Sequence, residues 1–154
     1  MNRFLLLALL TLPVFGALGQ PLPTKLYLIK TMGQGVGPFR LYTTLNPKQP
    51  ITFPTKSYVL LETDADSLGV MSGLSGEETG DALYPSEALP GPVYLPLERG
   101  QTYYFHFSTV AGSPNIQVNE LSQRAFQFYR GLNGIGMPAR RYQLSRSSGL
   151  RQIP

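Results

Sequence analysis

The chain carries one histidine, His106, and no cysteine. Those two counts decide most of the chemistry open to it. Without thiols there is no disulfide framework, cysteine nucleophile, zinc-thiolate site or iron–sulfur cluster. One imidazole cannot form a histidine-based metal triad. Ser-His-Asp catalysis would need an exposed serine held against His106. No Gly-x-Ser-x-Gly elbow occurs, and Gly73-Leu74-Ser75-Gly76 reads as a turn. His106 lies mid-strand among aromatic residues, which makes it a sheet-face residue. Gly33-Gln34-Gly35-Val36-Gly37 has the glycines of a phosphate loop, but Pro38 and a strand follow where a helix N-terminus is required. It reads as a hairpin loop. No catalytic, cofactor-binding or metal-ligating residue is assigned, and no cofactor is expected.

Carboxylates are the next candidates. Glu62, Asp64 and Asp66 alternate and would project from one face if extended, and Glu77, Glu78, Asp81 and Glu87 follow. Such oxygen-rich groups suit Ca²⁺, although the spacing matches no EF-hand loop. A solvated acidic edge that discourages strand-to-strand association explains them as well. Two carboxylates at a set separation could also hydrolyse glycosides, but the chain has no Trp and shows no deep-cleft signal. Nine Tyr and eight Phe invite a ligand-stacking role, yet sheets bury and pair such residues for packing alone.

The elements that must position these residues read mainly as short strands. Lys25–Lys30 and Phe39–Leu45 form two strands that the glycine loop joins as a hairpin. Asn46-Pro47 and Gln49-Pro50 mark a turn. Ile51–Phe53, Ser57–Thr63 and Leu68–Met71 are extended. Residues 73–92, rich in Gly, Pro and carboxylates, read as a long loop, and Val93–Leu97 resumes the sheet. Thr102–Thr109 is the strongest strand, with Tyr103, Phe105 and Phe107 on one face and Tyr104, His106 and Ser108 on the other. Asn115–Val118 pairs back onto it. The period then changes. Leu121, Ala125, Phe128 and Leu132 form one helical stripe, predicting an amphipathic helix over Glu120–Leu132. Asn119 or Ser122 would cap it, and Gly131 or Gly134 would stop it.

The ends differ in character. Met1-Asn2-Arg3, the apolar run from Phe4 to Leu18 broken by Pro13 and Gly16, and Ala17-Leu18-Gly19 match a secretory signal peptide cleaved before Gln20. The formal net charge is +4. Arg140, Arg141, Arg146 and Arg151 stand in a final segment without acidic residues, read as a basic, flexible tail.

Leu97-Glu98-Arg99-Gly100-Gln101-Thr102-Tyr103-Tyr104-Phe105, followed by a short strand and a helix, resembles an uncharacterised domain-of-unknown-function family of exported bacterial envelope proteins. That family has a Gly-x-x-Tyr-Tyr strand after a turn. Tyr58–Met71 resembles its preceding strands, but Ala65-Asp66-Ser67-Leu68 replaces its Pro-Gly-x-His, so no family histidine carries over. The resemblance implies a small β-sandwich in the cell envelope and nothing about catalysis.

The expected fold is a mainly antiparallel β-sandwich of seven or eight short strands with one C-terminal amphipathic helix. The expected organisation is a signal peptide over 1–19, the domain over 20–134 and the tail over 135–154. The expected function is an exported or secreted non-catalytic protein that binds a partner protein or surface polymer, without nucleic acid, its tail touching an anionic surface. A small extracytoplasmic hydrolase is the alternative.

Overall fold

The computed structural model describes residues 22–30, 39–54, 57–73, 91–109, 116–136 and 138–154. The expected signal peptide, the glycine loop at 33–37 and Glu77, Glu78, Asp81 and Glu87 lie outside them. The fold is mainly β, with two sheets and one helix among the described residues. The strands are β1 (Thr24–Lys30), β2 (Phe39–Thr43), β3 (Asn46–Phe53), β4 (Tyr58–Thr63), β5 (Ser67–Gly73), β6 (Val93–Pro96), β7 (Thr102–Thr109), β8 (Ile116–Glu120), β9 (Pro138–Ser145) and β10 (Gly149–Ile153), and α1 (Gln123–Leu132) precedes the last two. Six strands form one sheet in the order β10-β9-β4-β1-β7-β8, and four form the other as β3-β2-β5-β6.

Period-two patterning selects the buried faces. Leu26 and Leu28 of β1, Val59 and Leu61 of β4, and Phe105 and Phe107 of β7 share a buried cluster with Leu41, Ile51, Phe53, Leu68, Val70 and Leu95 of the four-stranded sheet. Both sheets therefore contribute to one apolar layer. Of the two faces of the Thr102–Thr109 strand, the one with Phe105 and Phe107 is turned into this layer.

Several expectations are corrected. Most strand pairings are antiparallel, as expected, but the six-stranded sheet is mixed, because β1 pairs in parallel with β7 and β4 with β9. Parallel partners need long crossovers, and here each connection passes through other strands. β1 and β2 are not a hairpin. β1 pairs with β4 and β7, and β2 pairs with β3 and β5 in the other sheet. The Asn46–Pro50 stretch is strand, not turn. β3 is an edge strand, where Pro47 and Pro50 can be accommodated.

The largest correction concerns the C-terminus. Instead of a flexible basic tail, it forms the hairpin β9–β10 inside the six-stranded sheet, with β9 docked along β4. Tyr142, Leu144 and Leu150 are buried, and Arg141, Gln143 and Arg151 stand on the other face. Apolar alternation outweighs the arginines.

The helix starts later than expected and is rotated. Ser122 caps it by accepting the Ala125 backbone N–H at 3.1 Å. Gly134, at φ +62°, ends it, with bonds from Ile135 N to Arg130 O (2.9 Å) and Gly134 N to Gly131 O (3.2 Å). This is the Schellman pattern, with Ile135 buried beyond it. The buried residue is Phe126, while Phe128 and Leu132 of the expected stripe face solvent.

Candidate functional site

The distinctive segment 97–105 performs structural work. Gly100 sits at φ +77°, which a Cβ disfavours. The Gly100 N–H donates to the Thr24 hydroxyl at 3.2 Å, and that hydroxyl donates to the Glu98 carbonyl at 3.1 Å. The Tyr103 hydroxyl accepts the Glu98 N–H at 2.9 Å. The turn is thereby clasped to the start of β1, and the aromatic strand β7 is held beside it. These residues position the fold.

His106 projects from β7 away from the shared layer, toward α1. Its ring stacks on Tyr129, with centroids 5.1 Å apart and planes 16° from parallel. Burial pushes its pKa below the usual imidazole value of 6.5. Around it an aromatic nest forms. Phe126 packs edge-on to Tyr58 and Tyr27, Tyr27 stacks on Tyr104, and the Arg130 guanidinium lies 5.0 Å over the Tyr58 ring. The sheet-face reading of His106 fits this setting, a packed layer under the helix.

The alternating carboxylates are not brought together. Glu62 lies within β4, opposite Lys25 on β1 and Gln143 on β9. It therefore belongs to a central strand, not to an edge. Asp64 and Asp66 follow the strand and are exposed, and Asp66 pairs with Arg146 in the β9–β10 turn. Glu62 and Asp64 do line an open hollow of about 360 Å³ with Pro23, Thr63, Gln143, Leu144 and Ser145. Among the described residues no three His, Asp or Glu side chains are grouped to hold a metal ion.

A feature that sequence reading missed lies on the outer face of the four-stranded sheet. Tyr94 of β6 is 64% exposed and pairs across the strands with Gly69 of β5. A Cβ on Gly69 would stand 3.1 Å from Cε1 of Tyr94 and 2.5 Å from Cγ2 of Thr44. The ring thus overhangs the bare backbone of Gly69, which leaves much of it open to solvent. Met71, Tyr42 and Thr44 extend the same surface. A Gly inside a strand signals such a close approach, and Gly69-Val70 within Leu68–Met71 was the available clue. The outward side of α1 is a second exposed apolar surface among the described residues, with Phe128 at 64% and Leu132 at 67%.

No helix among the described residues is long and apolar enough to cross a membrane. Comparison with family models, curated proteins and solved structures finds no match.

Proposed function

We propose that this chain is an exported, non-catalytic binding protein of the envelope or surroundings, and that its target is a surface polymer held on the outer face of the four-stranded sheet. The two sheets are read as layers of a β-sandwich, supported by the apolar cluster to which both contribute. Export rests on the basic start, the apolar run and the small residues before Gln20, together with the resemblance of residues 97–109 to an exported family.

The observation that carries the binding surface is the exposed Tyr94 ring lying over Gly69. An aromatic face presented to water from a rigid strand can stack against the C–H face of a sugar ring at little conformational cost. Neighbouring hydroxyls of Thr44 and Ser67 are placed to meet polar groups of such a ligand. The reading is tested by co-sedimentation with the insoluble envelope polymer of the producing cells. Tyr94→Ala should reduce retention about tenfold without changing Tm, and Tyr94→Phe should restore it. Equal retention by Tyr94→Ala would overturn the proposal. Turnover of the polymer by the protein would favour the hydrolase alternative.

A further inference from the structure

The outward side of α1 presents Arg124, Phe128, Gly131 and Leu132, all exposed. Phe128 and Leu132 are four residues apart, so their side chains stand together, with Arg124 one turn before them. The helix contains no acidic residue, and from Leu121 to Pro154 the chain has six arginines and no Asp or Glu.

Register places further cations on this side. Arg141 stands opposite Leu60, which stands opposite Tyr27 beneath the helix. Arg151 stands opposite Gln143, in the row that continues through Glu62 to Lys25. Lys25 alternates with Tyr27 and Ile29 on the α1 side of the sheet. Glu62 is the only carboxylate in these rows.

We infer that the α1 side of the protein docks onto an anionic lipid bilayer, with Phe128 and Leu132 entering the headgroup–acyl boundary and Arg124, Arg141 and Arg151 facing lipid phosphates. Two apolar side chains projecting from a helix suit a deformable, laterally continuous surface, and the surrounding cations match its charge. Arg130 is half-buried and engaged over Tyr58 and on the carbonyls of Ile135 and Gly136, whereas Arg151 is exposed and, among the described residues, donates only to the neutral Gln143 side chain, which leaves its charge uncompensated. The contact first expected of a basic tail thus passes to a folded surface. It lies on the other sheet from Tyr94, so the two proposals stand or fall separately.

The chain has no Trp, so Phe128→Trp in the full chain provides a single fluorophore that reports this site whatever the N-terminal segment does. Vesicles containing phosphatidylglycerol should move its emission to shorter wavelength, and brominated acyl chains should quench it. Tyr94→Trp should show neither effect. Adding Arg124→Gln and Arg141→Gln to the reporter should raise the lipid needed for half the change about 25-fold at low salt, roughly fivefold per arginine. Added salt should act in the same direction. No lipid-dependent change in the Phe128→Trp signal, or an equal change with neutral phosphatidylcholine vesicles, would overturn the proposal. A blue shift that grows with protein concentration in the absence of lipid would also overturn it, assigning the face to a second copy of the chain.

Discussion

The imidazole of His106 and the phenol ring of Tyr129 stack 5.1 Å apart, which places the only histidine of the chain between the six-stranded sheet and its helix. Protonating a ring held there sets a charge against an aromatic layer.

The pH dependence of stability follows from that contact. Burial lowers the His106 pKa in the folded state below 6.5. The unfolded chain therefore takes up the proton first as pH falls. Stability is full above pH 6.5 and declines below it, until the folded-state pKa is reached. Urea midpoints at about pH 8 and about pH 5.5 should show this fall, and His106→Gln should flatten it, because carboxylates titrate lower. The same slope in both proteins would assign the dependence to other groups.

The C-terminal hairpin should be indispensable. Removing residues 137–154 strips β4 of its neighbour β9 and deletes buried Tyr142, Leu144 and Leu150. Each large buried side chain is worth about 2–5 kcal/mol, against a typical domain stability of about 5–15 kcal/mol. The shortened chain should show no cooperative thermal transition. Asp66→Asn, which loses only the exposed pair with Arg146, should change stability by less than about 1 kcal/mol. A truncated protein that melts like the full chain would detach the hairpin from the core.

These elements also show what the sequence made legible. Alternation exposed the inward set of β7, because Phe105 and Phe107 are uniformly apolar against Tyr104 and His106. The same alternation runs through Tyr142 and Leu144, but Arg140, Arg141 and Arg146 concealed it by their charge. The helix stripe was misplaced for a similar reason. Phe126 and Phe128 are equally apolar and point about 200° apart at 100° per residue. What selects Phe126 is the set of Tyr27, Tyr58 and Tyr104 rings on three strands. No local pattern encodes that set, nor the parallel pairings of β1 with β7 and β4 with β9. Tyr94 was hidden likewise, since its placement depends on Gly69, 25 residues earlier.

The helix ends give a third prediction. Gly134→Ala puts a Cβ at φ +62° and should cost about 1–2 kcal/mol. Ser122→Ala removes the acceptor of the Ala125 N–H and should cost about 0.5–2 kcal/mol. Gly136→Ala is the control, because a Cβ there meets nothing within 4 Å. It should stay within about 0.5 kcal/mol of the parent. Denaturant midpoints decide the order, and a Gly136 variant as damaging as the Gly134 one would remove the conformational explanation.

The last prediction concerns Gly69. A Cβ there would meet Thr44 Cγ2 at 2.5 Å, Thr44 Oγ1 at 2.9 Å and Tyr94 Cε1 at 3.1 Å. Thr44 is poorly placed to yield. Its hydroxyl accepts the Gly69 N–H at 3.2 Å, and its own N–H donates to the Gly69 carbonyl at 2.9 Å. Gly69→Ala should therefore destabilise by about 1–3 kcal/mol through overpacking. It should also displace the Tyr94 ring and weaken polymer retention. Thr44→Ala alone loses one hydrogen bond, worth about 0.5–1.5 kcal/mol, and makes room for the added methyl. The double variant should then be more stable than the sum of the single costs predicts, by about 0.5 kcal/mol or more, as expected for residues in contact. A double-mutant cycle on denaturation midpoints measures this coupling. Strict additivity would mean that Thr44 does not confine Gly69, and that the surface under Tyr94 tolerates a side chain without rearrangement.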